Sequence, residues 1–127
     1  MGEPIIYRPI GHVENAFDEP VAPEALRAAE SRIVLNPALA EGLLGLEAGQ
    51  QVMVVFHFHR SHGYDLHQHP RGDASRPQRG VFALRSPRRP NPIGVTVVDL
   101  VAIEGNVLHV RGLDALNGTP VLDLKPA

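Results

Sequence analysis

The apolar positions of this chain fall in short runs separated by turn-forming residues. The clearest is Gln51 to His59, where Val52-Met53-Val54-Val55-Phe56 passes into alternation at His57-Phe58-His59 and predicts a strand. Ile93 to Ile103 predicts a long strand, turned at Gly105-Asn106 into an antiparallel return over Val107 to Arg111. Asn117-Gly118 reads as a second hairpin-type turn, ahead of a strand over Val121 to Leu124. Gly80 to Leu84 is a further short strand. Ile5 to Val13 is a first strand interrupted by Pro9 and Gly11, and the proline indicates an edge or a bulge.

Helical signals are few. Asn36 as N-cap and Pro37 at the first helical position predict a short helix to Leu44, with Leu39, Leu43 and Leu44 on one side and Gly45 as its terminator. Leu26 to Glu30 carries conflicting signals, because Ala and Glu favour helix while Ile33-Val34-Leu35 just beyond favour strand. Asn15 to Pro23 and Arg60 to Arg79 show no periodicity and read as loops. Short strands, tight turns and one or two short helices predict a mainly β fold. A small single-sheeted antiparallel β-barrel is the expected form, since closure removes exposed sheet edges. One domain over residues 1–127 is expected from the length.

Composition narrows the chemistry. The chain has no cysteine, which excludes a disulfide scaffold, a thiolate metal site and a cysteine nucleophile. No apolar stretch approaches the ~20 residues that span a bilayer. The start Met1-Gly2-Glu3-Pro4 lacks the basic and apolar regions of a signal peptide. A cytoplasmic protein without membrane association is expected.

Charge is unevenly placed. Arg60 to Arg89 holds seven of the twelve Lys and Arg residues and two of the fourteen acids, so about five net positive charges sit on a body with about seven net negative. Such a loop concentrates anionic ligands. All seven basic residues in it are Arg, whose planar fork suits phosphate or carboxylate. Arg71, Arg76, Arg88 and Arg89, with Asn91, are the candidate substrate-binding residues. Pro87, Pro90 and Pro92 stiffen the segment that presents Arg88 and Arg89, which lowers the entropy cost of binding.

Histidines crowd the same region: His57, His59, His62, His67 and His69. His57 and His59 lie two apart on a predicted strand and share a face, as a metal pair or a pocket wall would require. Gly63 and Tyr64 occupy the stretch where a supporting Glu ligand is expected, so packed or solvated histidines outweigh a metal site, and no metal is expected. Asp114-Ala115-Leu116-Asn117 puts an acid and an amide beside a glycine turn, able to hold ribose hydroxyls or an amino group, or simply to shape the turn.

These residues resemble a known family. His69-Pro70-Arg71-Gly72-Asp73, Arg76-Pro77, Gly80 to Pro87, Arg89-Pro90-Asn91-Pro92-Ile93-Gly94 and Gly118-Thr119-Pro120-Val121-Leu122-Asp123-Leu124-Lys125-Pro126 are similar to the TrmO-like (TsaA-like) family. Ile10-Gly11 and Gly42-Leu43 to Leu46 extend the likeness over most of the chain. The resemblance implies a small barrel, a homodimer, and S-adenosylmethionine as cofactor near the dimer interface. It implies N6-methylation of threonylcarbamoyladenosine in tRNA. It places cofactor contacts on His59, Arg60, Arg85, Val95, Asp114, Ala115, Leu116 and Asn117. His59 and Asp114 are candidates for the catalytic base. Two departures stand out: the loop Phe17 to Pro23 lacks the family's Pro-Arg-Gln, and the chain stops at Ala127 where tRNA-modifying members continue. Expected partners are therefore tRNA or a small-molecule acceptor. A metabolite methyltransferase, a His-metal barrel enzyme and a non-catalytic RNA-binding module are the competing functions.

Overall fold

The computed structural model of the protein describes residues 2–127. Among the described residues are eight strands and one α-helix: β1 (Gly11–Glu14), α1 (Pro23–Ala28), β2 (Glu30–Leu35), β3 (Gln51–His57), β4 (His67–Gln68), β5 (Arg79–Gly80), β6 (Ile93–Glu104), β7 (Val107–Arg111) and β8 (Pro120–Pro126). Six of them close into a barrel in the order β1-β2-β7-β6-β3-β8, with every neighbouring pair antiparallel. The expected mainly β barrel is therefore what forms. It fills its interior with one residue in two from each wall, notably Val52, Val54 and Phe56 of β3, Val98 and Leu100 of β6, and Leu108 and Val110 of β7. The apolar run that marked β3 thus buries alternate residues, as the pleat of a barrel strand requires.

Several local expectations change. The first strand is only Gly11–Glu14, because Pro9 has no N–H to donate and pairing starts where Ile10 N donates to Val121 O. Gly11 lies tight against β2, and a Cβ there would fall on the Val34 carbonyl oxygen. The conflicting signals around Leu26 resolve into both elements in turn: α1 ends at Ala28 with Leu26 buried, and β2 starts two residues later.

The Asn36-capped helix forms over Pro37–Leu43, with the Asn36 side chain accepting from Ala38 N, but it is a 3₁₀ helix. With three residues per turn, Leu39 and Leu43 diverge, so Leu43 is buried while Leu39 and Leu44 stay exposed.

The third strand stops at His57, so His57 and His59 do not share one strand face. The stretch Arg60–Arg79 is not featureless: β4 and β5 pair as a two-stranded hairpin through His67↔Gly80 and Gln68↔Arg79. The strand expected over Gly80–Leu84 is replaced after Gly80 by a 3₁₀ turn over Val81–Ala83, closed by Leu84 N donating to Val81 O. Asn117-Gly118 is a turn, with Gly118 at φ 84°, but not a hairpin. It links β7 to β8, which are not neighbours in the sheet.

Candidate functional site

Between β3 and β6 the chain leaves the barrel as a lobe of residues 58–92, and a cleft opens where that lobe rejoins the wall. Its floor is aromatic. Phe56 and Phe58 meet edge to face at 5.2 Å between ring centroids. Both rings lie over Gly94, where a Cβ would come within 2.6 Å of Phe56 and 2.7 Å of Phe58. Proline on either side of Asn91 holds the chain extended up to that glycine, and Phe58 N donates to Pro92 O at 2.8 Å. The odd string Arg89 to Gly94 thus shapes one wall of the cleft.

The cleft has a volume of about 610 Å³ and its polar rim is Arg27, Arg85, Arg89 and Asp114, with Ile93, Val95 and Val97 as further apolar wall. Arg85 donates weakly to Val95 O at 3.4 Å and pairs with no carboxylate among the described residues. Arg89 is committed to the lobe's own backbone, donating to Leu84 O at 2.9 Å and Ser86 O at 3.1 Å. Arg27 faces Asp114 at 3.5 Å. Three guanidinium groups against one carboxylate leave the rim positive, which suits an anionic group beside an apolar, aromatic body.

Of the residues expected to hold a cofactor, Arg85, Val95 and Asp114 line this cleft. The others gather beside it, around the loop after β1. Asn117 Nδ2 donates to Asp18 Oδ1 at 2.9 Å, and Asn117 Oδ1 accepts from Asn15 N at 3.1 Å. Ala115 O accepts from Asn15 Nδ2 at 2.9 Å, and Leu116 O accepts from the Thr119 hydroxyl at 2.7 Å. Arg60 reaches the same loop from the end of β3, donating to Asp18 O and to Glu19 at 3.2 Å. His59, half-buried, brings Nε2 to within 3.8 Å of where a Cβ on Gly118 would sit. Burial first, and then the charges of Arg60 and His57, hold its pKa below the ordinary imidazole value.

The expected substrate residues separate into braces and free groups. Arg88 is a brace: it donates to Asp65 Oδ2 at 3.2 Å and to His62 O at 2.8 Å. Arg89 belongs to the cleft rather than to the lobe surface. Asn91 O accepts from Ile93 N at 2.7 Å, a backbone role. Arg71 bonds Glu24 of α1 at 3.0 Å and is the one non-glycine among the described residues with positive φ, at 53°. Arg76 is exposed and without a carboxylate partner among the described residues. The sequence reading missed Arg27, whose place in the cleft depends on how α1 packs. Among the described residues no three potential metal-ligating side chains converge.

A second depression, of about 500 Å³, lies between Glu14, Asn15, Glu30, Arg32, His109 and Asn117, so one expected cofactor residue, Asn117, faces it rather than the aromatic-floored cleft. Arg32 there is held by Glu14 at 2.6 Å and His109 sits between Glu30 and Glu104, so its charges have partners, and no apolar side chain among the described residues lines it. The aromatic-floored cleft is the better ligand site.

Barrel and cleft together define a small β-barrel protein with one cleft whose aromatic floor meets a positively charged rim. Residues 11–127 match the tRNA-methyltransferase O N-terminal domain family, and the chain belongs to that family. It is 40% identical over 126 residues to a probable S-adenosyl-L-methionine-binding protein of Pyrococcus abyssi, covering 96% of this chain and 67% of that protein. It is 39% identical over 124 residues to an S-adenosyl-L-methionine-binding protein of Archaeoglobus fulgidus, covering 95% of this chain and 88% of the relative. The tRNA (adenine(37)-N6)-methyltransferase of Homo sapiens is 35% identical over 135 residues, but the match spans only 30% of that enzyme against 96% of this chain. The crystal structure of TrmO from Pseudomonas aeruginosa superposes with a TM-score of 0.75 at 36% identity, over 98% of this chain and 56% of that one.

Proposed function

We propose that this protein binds S-adenosylmethionine in the aromatic-floored cleft and methylates N6 of an adenosine in tRNA, the threonylcarbamoyl-modified base being the acceptor. The observation that carries this is the meeting of Arg85, Val95 and Asp114 in one cleft over Gly94, in a chain of this family. The donor set fits the cofactor. Arg85 has an unpaired fork for a carboxylate, Asp114 is an acceptor for hydroxyl or amino groups, and Phe58 with Val95 offers an apolar surface for a flat ring. When bound, S-adenosylmethionine supplies an activated methyl group on a sulfonium.

The chain's own part is positioning and proton handling. Arg85 and Asp114 fix two ends of a ligand, and the apolar wall excludes water between them, so an in-line approach is held in place. A nitrogen that gains a methyl group must lose a proton. His59, kept neutral near pH 7 by burial and by Arg60, is an acceptor for it beside the Gly118 turn; Asp114 is the alternative, within the cleft. The Arg60–Asp18–Asn117 network holds the loop after β1 beside that base, so Arg60 and Asn117 act by positioning.

The protein works as a cytoplasmic homodimer in this account. Support comes from the row Ile93, Val95, Val97 and Val101 on β6, each 38–44% exposed; the first three also wall the cleft, so a partner seated on the row would lie beside the cofactor. No helix among the described residues is long and apolar enough to cross a membrane. Transfer of labelled methyl from S-adenosylmethionine to tRNA lacking the methyl group tests the proposal. Incorporation at a single adenosine is expected, and absence of transfer to any tRNA overturns it.

A further inference from the structure

The lobe carries a feature that the cleft does not use. Tyr64 and Leu66 on one limb of the β4–β5 hairpin are 53% and 55% exposed, and Phe82 at the far end of the other limb is 79% exposed. The two limbs are tied together there by Val81 N donating to Leu66 O at 2.8 Å. The chain has only six aromatic residues, and two of the six flank this tie, one on each limb.

The hairpin is held rigid from beneath. Val81, next to Phe82, is buried. Asp65, next to Tyr64, is gripped by Arg88 at 3.2 Å and by Gln68 Nε2, which donates to its carbonyl at 2.8 Å and to Arg88 O at 2.6 Å. Rings carried on a backbone braced in this way cost little chain entropy on binding. The charges around them are selective as well. Arg60, Arg71 and Arg88 each have a carboxylate, whereas exposed Arg76 and Arg79 have none among the described residues. Arg79 lies on β5 itself, two residues before Val81. Chain continuity then runs from Phe82 to Leu84 and Arg85, which line the cleft.

On the footing of the tRNA-directed function above, we infer that this hairpin ridge is a stacking platform for unpaired RNA nucleotides flanking the accepting base, with Tyr64 and Phe82 under base faces and Arg76 and Arg79 on phosphates. Aromatic rings beside free guanidinium groups are the chemistry that recognises single-stranded RNA, because only unpaired bases offer their faces. A duplex gives such a surface its phosphates alone.

Fluorescence anisotropy with an anticodon stem-loop RNA and a fully paired RNA of equal length tests this at one salt concentration. Tyr64→Ala and Phe82→Ala are each expected to weaken stem-loop binding about tenfold. Paired-RNA affinity, S-adenosylmethionine binding, melting temperature and mass by light scattering should stay as in the wild type. Phe82→Tyr should restore stem-loop binding. Wild-type stem-loop affinity in both alanine variants overturns the platform while leaving the tRNA function standing. A drop to monomer mass in those variants would make the ridge a contact between copies instead. Wild-type protein that binds S-adenosylmethionine but no stem-loop overturns both the platform and the tRNA acceptor.

Discussion

Gly94 lies directly beneath Phe56, so close that a methyl group in place of its hydrogen would stand 2.6 Å from two atoms of the Phe56 ring. Phe56 is a core residue, 2% exposed, and cannot swing away as a surface side chain would. Gly94→Ala is therefore expected to lower stability by about 1–3 kcal/mol, the usual cost of overpacking. Because Phe58 rests on the same spot, cofactor affinity should fall too. Chemical denaturation and ligand titration of the same preparation check both effects.

Arg85 and Arg71 carry the same charge and differ in what surrounds them. Arg85 lines the cleft without a carboxylate partner, while Arg71 is paired with Glu24 on the surface, both side chains 64% exposed. Arg85→Ala should weaken S-adenosylmethionine binding by roughly 1.5–3 kcal/mol, the value of a hydrogen bond to a charged group. Arg71→Ala should change it by a few tenths at most, as exposed ion pairs do. Equal losses, measured by calorimetry, would move the ligand out of this cleft.

How far these placements were legible differs by element. The barrel wall was, because Val52 to Phe56 form a short apolar run too brief for a core helix and bounded by turn signals; which of them, Val52, Val54 and Phe56, face inward is set by the strand's pleat. The place of Arg85 at a cleft was legible through the motif around it. Arg27 was not: it lies on a six-residue helix whose sequence argued for both helix and strand, and it reaches the cleft only because Leu26 beside it is buried. Arg88 and Arg89 looked like free cations in a proline-stiffened loop. Their bonds go to carbonyl oxygens and to Asp65, partners brought close by the fold rather than by a periodic pattern. The β4–β5 hairpin was hidden because two paired residues per strand are too few to show a period.

His59 should titrate below the ordinary imidazole value of 6.5. The folded state then takes up its proton later than the unfolded chain as pH falls. The neutral form's contribution to stability is complete above 6.5 and is lost as pH drops through the window beneath it. Methyl transfer that uses His59 as base should fall over the same window. Histidine NMR across this range checks the direction, and Arg60→Ala should raise the midpoint by removing a neighbouring positive charge. A midpoint at or above 6.5 in the wild type contradicts the assignment.

Affinity for tRNA should depend on salt. Each phosphate neutralised by an arginine contributes about −0.7 to −0.9 to the slope of log K against log salt. Arg76→Glu with Arg79→Glu should flatten the slope by roughly two such contacts while leaving S-adenosylmethionine binding intact, since neither residue lines the cleft. Filter binding at several salt concentrations measures it. No detectable tRNA affinity, with the cofactor still bound, would point to a small-molecule acceptor.

Titration calorimetry of the purified protein with S-adenosylmethionine is the most direct test of the central claim. Saturable heat at one ligand per chain is expected, with the same site binding the demethylated product and with affinity reduced in Arg85→Ala. A flat trace for both ligands, together with an unchanged melting temperature in their presence, would contradict the cleft's assignment as a cofactor site.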